Sequence, residues 1–426
     1  MLAQLPYDQV YTSLRLFCSL HDNRSQLSKR NVRIIAVDGK LYLSYAAKNT
    51  ALRITVNRGK IEHTGSFDAP LRALKRTLEF WPERLVTTLR DEDKDQMFLV
   101  EEAGDRLKIP TVKPSDELSL SLERLGSPEK ISLDRGEPVA EITVAEFLEV
   151  IAECHAHKTF NPQLTKHVGI AIQKNRLIGF YEYPSARIEF CARTQLLGRT
   201  RPRYWRKPAD IEFRATYRLG DLSKICRLIK KAKLPTTFKL SIWQTKTGTL
   251  ELYIPNFLRA SIRGESLSET SEYLQRNRAV PFDEYRIAKQ ADFEELGTVY
   301  QATVYPSMTN QRARLRHLWV ANARFSDRGM SFDQFSSRFP ATGKLYSPHK
   351  LADCSDRKIK VTINVLALYA KLLRPTDSTS ATQQEIRFYA HRGENPQVEI
   401  QFGNRRMLIR GQIARDGDAS EVSDVF

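Results

Sequence analysis

A short amphipathic helix followed by a run of strands and tight turns recurs six times along the chain. The helices open near Tyr7, Asp68, Thr143, Arg218, Asp292 and Thr362, roughly 60 to 75 residues apart, and a fixed period of that kind marks a repeat architecture. One copy is too small to bury a core, so the copies must pack side by side into an extended layered surface. This requirement constrains the fold more than any single motif does.

The local signals are concrete. In the first copy Val10, Leu14 and Phe17 share one helical face, the spacing of a buried stripe. A strand over 32–37 turns back at Asp38-Gly39, the dipeptide suited to a type I′ hairpin, into strands over 41–45 and 52–56. The second copy predicts a strand over 60–67, a helix over 69–80 striped with Leu71, Leu74 and Leu78, and strands over 85–89, 97–101 and 106–111. The third predicts a helix over 143–154 and strands over 168–172, 177–181 and 186–192. In the fourth, a strand over 210–217 leads into a helix over 219–231 and strands over 238–244, 249–254 and 259–263. The fifth, less regular, predicts a helix over 292–304 and a strand over 315–325. The sixth predicts a helix over 362–373 and strands over 385–390, 397–402 and 406–413.

Breaks in this pattern set the domain boundaries. Residues 112–139 are rich in Ser, Pro, Glu and Lys and read as a linker carrying a strand over 118–122. A second polar break runs from Gly264 to Tyr285. The simplest division is three domains of two repeats each, over 1–125, 126–275 and 276–415, with a small acidic tail over 416–426 that is too polar to fold. The fold class is therefore α+β.

Charge narrows the choice of partner. The 67 Lys and Arg against 50 Asp and Glu leave a formal charge of +17, which favours association with a polyanion. Cys18, Cys154, Cys191, Cys226 and Cys354 are odd in number and scattered through expected core elements, so they read as reduced thiols and not as a disulfide framework. No stretch has the length and apolarity of a membrane span, and the N-terminus lacks a leader pattern. A cytoplasmic, nucleoid-associated protein with no membrane contact is expected.

Three segments carry a resemblance. Tyr183-Pro184-Ser185-Ala186-Arg187-Ile188 lies in the third repeat, Val280-Pro281-Phe282-Asp283-Glu284-Tyr285-Arg286 leads into the last two repeats, and the final strand covers 407–413. With the order of elements over nearly the whole chain, they resemble the bacterial DNA sliding clamp, the β subunit of the replicative polymerase. In that family the first segment usually reads Thr-Asp-Gly-His-Arg-Leu, so Arg187 matches outright and Ile188 replaces leucine. The middle segment is similar to the family's Phe-Pro-Asp-Tyr segment, and the final strand lacks the family's usual Met-Pro-Met-Arg-Leu ending. The resemblance implies the clamp fold, with helices on one face of curved antiparallel sheets, and a processivity factor without catalytic activity or cofactor that encircles duplex DNA as a homodimer ring. It also implies a DNA polymerase and a clamp loader as partners, whose peptides enter a pocket at Arg187, Ile188, Pro281 and Leu408.

A clamp must hold phosphates without reading bases, and in the family the helices line the hole. The second helix offers Arg72, Lys75 and Arg76 opposite its leucines, the fourth Lys224, Arg227, Lys230 and Lys231, and the sixth Lys371 and Arg374. The odd-numbered helices differ: the third carries Glu146, Glu149 and Glu153, the fifth Glu294 and Glu295, and the first only Arg15. DNA contact is thus expected on the even-numbered helices, although a charged helix face is also what any solvated helix presents. A denser basic segment, Arg199, Arg201 and Arg203 with Tyr204 and Trp205, suits phosphate contact with base stacking. It equally suits an exposed connector with an anchoring aromatic.

Catalytic patterns are missing from the sequence. Cys154-His155-Ala156-His157 is too closely spaced for a zinc site, no Gly-Lys-Ser/Thr phosphate loop follows a strand, and no Gly-x-Ser-x-Gly elbow occurs. No metal is expected. Beside the ring, two readings stay open: an open, monomeric, basic DNA-binding accessory factor with a clamp-like fold, and an enzyme or scaffold built from repeats.

Overall fold

The computed structural model describes residues 2–5, 7–20, 30–47, 49–56, 60–80, 87–93, 96–100, 106–109, 111–112, 116–123, 125, 138–158, 166–173, 176–182, 186–192, 211–244, 248–266, 282–289, 320–326, 329–334, 342–346, 359–364, 385–391, 397–402 and 405–413. Two compact units divide the chain: Met1–Ala152 with Lys166–Leu177 and Glu212–Leu267, and Glu153–Thr165 with Ile178–Ile211 and Ser268–Phe426.

An eight-stranded antiparallel sheet dominates the first unit. Its order is Ala140–Thr143, Lys239–Gln244, Leu250–Ile254, Leu258–Ile262, Thr50–Val56, Lys40–Ala47, Asn31–Val37 and Gly65–Pro70. The sheet therefore joins strands of the first repeat to strands of the fourth through the pairing of Ile54 with Leu258. Strand Asn31–Val37 alternates between buried and half-buried residues, the period of a sheet with one face in the core. Ile34, Leu43, Ile54, Leu258 and Ile254 are successive cross-strand neighbours on that face, and all are buried. The expected hairpin turn is present: Asp38 and Gly39 both take positive φ, 47° and 69°, as a type I′ turn requires. A five-stranded antiparallel sheet, ordered Lys60–His63, Leu2–Leu5, Thr87–Asp93, Gln96–Val100 and Arg106–Ile109, completes the strands of the second repeat.

Five described helices have defined roles in this unit. Helix α1, Tyr7–Ser19, lies over the apolar face with Phe17 stacked on Tyr45 at 5.4 Å between ring centroids. Helix α2, Leu71–Phe80, buries Leu71, Leu74 and Leu78 as its spacing predicts. Helix α3, Asp116–Glu123, packs on the opposite face, where Leu118, Leu122 and Leu125 cluster with Ala46 and Ala51. Helix α4, Val144–Lys158, begins here and ends in the second unit. It opens with a capping box in which the Thr143 backbone N–H donates to Glu146 Oε2 at 2.8 Å and the Glu146 N–H donates to Thr143 Oγ1 at 3.2 Å. Helix α5, Leu219–Lys231, has the predicted bounds and buries Leu222, Ile225 and Ile229.

In the second unit, strand Arg405–Ile413 is the hub. Its first part lies between Ala186–Phe190, which also pairs with Arg176–Glu182, and Gln397–Phe402. Beyond Gln397–Phe402 lie Glu385–His391 and Phe282–Lys289. Its last part pairs with Ile359–Asn364, followed by Val320–Ser326, Gly329–Gln334 and Thr342–Tyr346.

Several expected elements take another form. Residues 118–122 are helical and not a strand. Leu-Ser-Leu-Ser-Leu alternates like a strand, but Leu118, Leu122 and Leu125 at helical spacing bury one stripe against the sheet. The second helix starts at Leu71, because Ala69 and Pro70 pair with Val32 and Asn31 in the sheet. The opening residues of the expected sixth helix, from Thr362, belong to strand Ile359–Asn364, whose Ile359, Val361 and Ile363 alternate with polar residues. The rest of that helix, the fifth helix over 292–304 and the tail over 416–426 lie outside the described residues. Strand Leu2–Leu5 was not anticipated.

Candidate functional site

The sequence marks α2 and α5 as basic helices about 150 residues apart, and the fold sets both against α1. On one side the Tyr7 hydroxyl donates to the Leu78 carbonyl at 2.6 Å, and the Tyr11 hydroxyl donates to Glu79 Oε1 at 3.1 Å. On the other side Arg227 Nη1 donates to the Ser19 carbonyl at 3.2 Å, meeting an unsatisfied carbonyl at the last turn of α1. The three helices thus share one layer, and α1 joins the two basic ones.

The cations of this layer divide by what they touch. Arg72 and Arg76 are exposed on α2, one turn apart and therefore on one face. Lys75 is half-buried and turned toward α1. It donates to the Glu79 carboxylate, and its ammonium lies 5.8 Å from the centroid of the Tyr11 ring. Arg15 lies 5.8 Å from the same centroid, so Tyr11 meets two cations and accepts both through its ring. Hydrogen bonds from Lys75 and Tyr11 hold the Glu79 carboxyl below its ordinary value. Lys75 is thus part of the helix junction, whatever else it does. On α5, Lys224 faces Asp221 at 3.8 Å, and Arg227 caps α1 while remaining exposed. Lys230 and Lys231 are exposed in the last turn, where cations complement the helix dipole. Just beyond, Lys233 takes a positive φ of 52°.

The glutamates of α4 do not form a plain acidic face. Glu146 closes the capping box, and Glu153 is buried, its Oε2 2.8 Å from Arg405 Nη2. Glu146 and Glu153 are therefore engaged within the fold.

The candidate peptide pocket falls in the second unit. Arg187 and Leu408 are direct cross-strand partners, and Ile188 pairs with Met407 in the same ladder. Ile188 is buried. Residues 221 positions apart in sequence thus meet in register, as the position numbers 187 and 408 show. The next rungs are charged: Glu189 faces Arg406 with 3.3 Å between Oε2 and Nη1, and both are buried. The end of α4 is fastened to this unit by the Tyr181 hydroxyl, which donates to the Cys154 carbonyl at 2.9 Å. The buried charges Glu153, Glu189, Arg405 and Arg406 were missed from the sequence. The signal available was a charge inside an otherwise apolar strand, as in Ala-Arg-Ile-Glu-Phe.

Pro281, Arg199, Arg201, Arg203, Trp205, Lys371 and Arg374 lie outside the described residues. Cys18, Cys154, Cys191 and Cys226 are free thiols, and burial pushes the Cys226 thiol up to about 12. Among the described residues no three His, Cys, Asp or Glu side chains gather to hold a metal ion, and no helix is long and apolar enough to cross a membrane.

No sequence-family model matches the chain, and no curated protein does. Solved structures do. A DNA polymerase sliding clamp from Bacillus subtilis superposes with a TM-score of 0.57 at 10% identity, covering 97% of this chain and 100% of that one. The DNA polymerase III subunit beta from Pseudomonas aeruginosa gives 0.55 at 9% identity, with 97% and 100% covered. The Helicobacter pylori beta clamp bound to DNA ligase peptide gives 0.52 at 10% identity, again with 97% and 100% covered. At a sequence distance that leaves only about one residue in ten in common, this chain has the fold of the bacterial DNA sliding clamps.

Proposed function

We propose that the chain is a divergent DNA sliding clamp, a non-catalytic processivity factor that encircles duplex DNA and tethers a DNA polymerase and other replication proteins. The observation that carries this reading is the joining of basic helices α2 and α5 through α1 in one layer of a clamp fold. Phosphates are held by Arg72, Arg76, Lys230 and Lys231, with Lys224 and Arg227 adding to the field. Arg199, Arg201, Arg203, Lys371 and Arg374, named from the sequence, are further phosphate contacts in this reading. Cations that make no base-specific contacts let a ring slide, because its grip does not depend on sequence.

Three clamp domains, over 1–125, 126–275 and 276–415, pair head to tail in a homodimer, and a clamp loader opens the ring. Client peptides enter at Arg187, Ile188, Pro281 and Leu408. The neighbour solved with a DNA ligase peptide supports a peptide-binding role for this fold, and the pairing of Arg187 with Leu408 brings two of the named residues together. The protein works in the cytoplasm, on the nucleoid.

Retention on DNA tests the proposal. A loaded clamp stays on closed circular DNA and is lost when the circle is cut, since only a topological link behaves that way. Equal release from circular and linear DNA, by a chain that runs as a monomer, would identify an open accessory factor instead.

A further inference from the structure

We infer that two buried ion pairs, Arg406–Glu189 and Arg405–Glu153, fix the register of strand Arg405–Ile413 and so set Leu408 opposite Arg187. The consequence for peptide binding rests on the pocket proposed above; the register itself does not.

Hydrophobic patterning leaves this register open. The strand reads Arg-Arg-Met-Leu-Ile-Arg-Gly-Gln-Ile, and its apolar residues Met407, Leu408 and Ile409 are consecutive. Successive side chains of a strand alternate between faces, so a slip of one residue still places an apolar side chain on each face. Nothing in that run distinguishes Leu408 opposite Arg187 from Met407 or Ile409 opposite Arg187.

The arginines do distinguish them. Arg406 Nη1 lies 3.3 Å from Glu189 Oε2 on the neighbouring strand, and Arg405 Nη2 lies 2.8 Å from Glu153 Oε2 on α4. All four side chains are less than a tenth exposed. Adjacent residues point to opposite faces, so the strand is pinned from both sides by partners on two different elements. A slip of one residue shifts the strand by about 3.3 Å and sets one arginine in the place of the other. At most one of the two ion pairs then re-forms, and one carboxylate is left buried without its arginine, a state less favourable than the one in which both pairs are made. Buried polar pairs that select a register are the best-attested use of such groups.

These four residues are therefore positioning residues. Glu189 and Arg406 lie on the rung next to Ile188–Met407, Arg405 lies on the one after, Glu153 lies on α4, and none belongs to the set named for peptide contact. The arrangement also explains why an apolar strand opens with two consecutive arginines.

The test uses the full-length chain and two readouts. Register is read by oxidising a chain carrying Arg187→Cys and Leu408→Cys and locating the disulfide by mass spectrometry. Peptide affinity is read separately, with both residues intact, using the DNA ligase peptide held by the Helicobacter pylori clamp. In a background of Glu153→Gln and Glu189→Gln, the link between positions 187 and 408 should fall at least fivefold, in line with the roughly tenfold loss of peptide affinity expected from a displaced recognition group. Exchanging the charges, Glu189→Arg with Arg406→Glu, should restore the link. Should the glutamine variant fold poorly, Glu189→Leu with Arg406→Met keeps the site apolar and filled, and it too should lose the single link. An unchanged link at positions 187 and 408 in both variants overturns the inference. If the parent chain does not bind the peptide while the link still follows the ion pairs, the register inference stands and the pocket reading fails.

Discussion

Arg53 stands directly opposite Arg259 across strands Thr50–Val56 and Leu258–Ile262, and both side chains are buried. Like charges facing each other across a ladder oppose pairing. Arg259 approaches Glu251 at 3.6 Å, and Arg53 Nε donates to Ser44 Oγ at 3.2 Å. Burial, and then the neighbouring Arg259, push the Arg53 guanidinium down to about 10. Glu251 therefore neutralises one of two facing guanidinium groups. Glu251→Gln should lower stability by about 3 kcal/mol. Urea unfolding of this variant measures the effect, and a stability equal to that of the parent chain would show that the pair contributes nothing.

The cations of α2 and α5 should separate by function. Replacing Arg72, Arg76, Lys230 and Lys231 with Ala should flatten the dependence of log affinity on log salt by about 0.9 for each phosphate no longer neutralised. Lys75→Ala should leave that slope alone and lower stability by about 0.5 kcal/mol, the scale of an exposed cation–π contact. Anisotropy titrations with duplex DNA at several salt concentrations measure the first effect and thermal unfolding the second. A Lys75 variant that loses slope without losing stability would return that residue to the DNA path.

Acid should loosen the junction of α1 and α2. The Glu79 carboxyl is held low by hydrogen bonds from Lys75 and Tyr11. Its folded value lies below its unfolded one, so its contribution is complete above the ordinary carboxylate value of about 4.3 and fades as pH falls through the depressed value. Protection of the α1 amides, relative to the intrinsic exchange rate at each pH, should therefore fall below about pH 4. In Glu79→Gln that acid limb should be absent, and an unchanged limb would place the titration elsewhere.

Gly264 is required by closeness and not by backbone angle. A Cβ there would lie 2.4 Å from Tyr217 Cε1 and 2.7 Å from the Thr216 carbonyl oxygen. Tyr217 has little room to move, being buried and donating its hydroxyl proton to the Gly248 carbonyl at 3.0 Å. Gly264→Ala should cost about 2 kcal/mol, within the range for overpacking. A stability equal to that of the parent chain would mean that the Tyr217 ring swings aside freely.

What could be read from the sequence was what neighbouring residues decide among themselves. Asp38-Gly39 announces its turn because two adjacent residues must both take positive φ. The bounds of α5 were legible because its apolar stripe and its basic end lie within 13 residues. Glu189 and Arg406 are 217 residues apart, and no local pattern links them. Helix α3 was misread because its alternation is genuine, and only Ala46 and Ala51 beneath it decide which leucines are buried. Lys75 is indistinguishable from its neighbours Arg72 and Arg76 until Tyr11 and Glu79 are placed beside it. The candidate site was thus legible in its residue types, while the separation of fastening charges from exposed ones depended on tertiary partners.

The pairing of Ile54 with Leu258 has a consequence for how the protein is made. The first repeat emerges from the ribosome with strand Thr50–Val56 as an open edge, and its partner follows about 200 residues later. At translation speeds of about 5 to 20 residues per second, that edge waits roughly 10 to 40 s before it can be covered. A nascent chain halted at residue 250 should therefore exchange freely those Thr50–Val56 amides that face away from Lys40–Ala47 and recruit chaperones, while one released after residue 266 should not. The sheet that ends as a continuous wall passes through synthesis as an exposed seam.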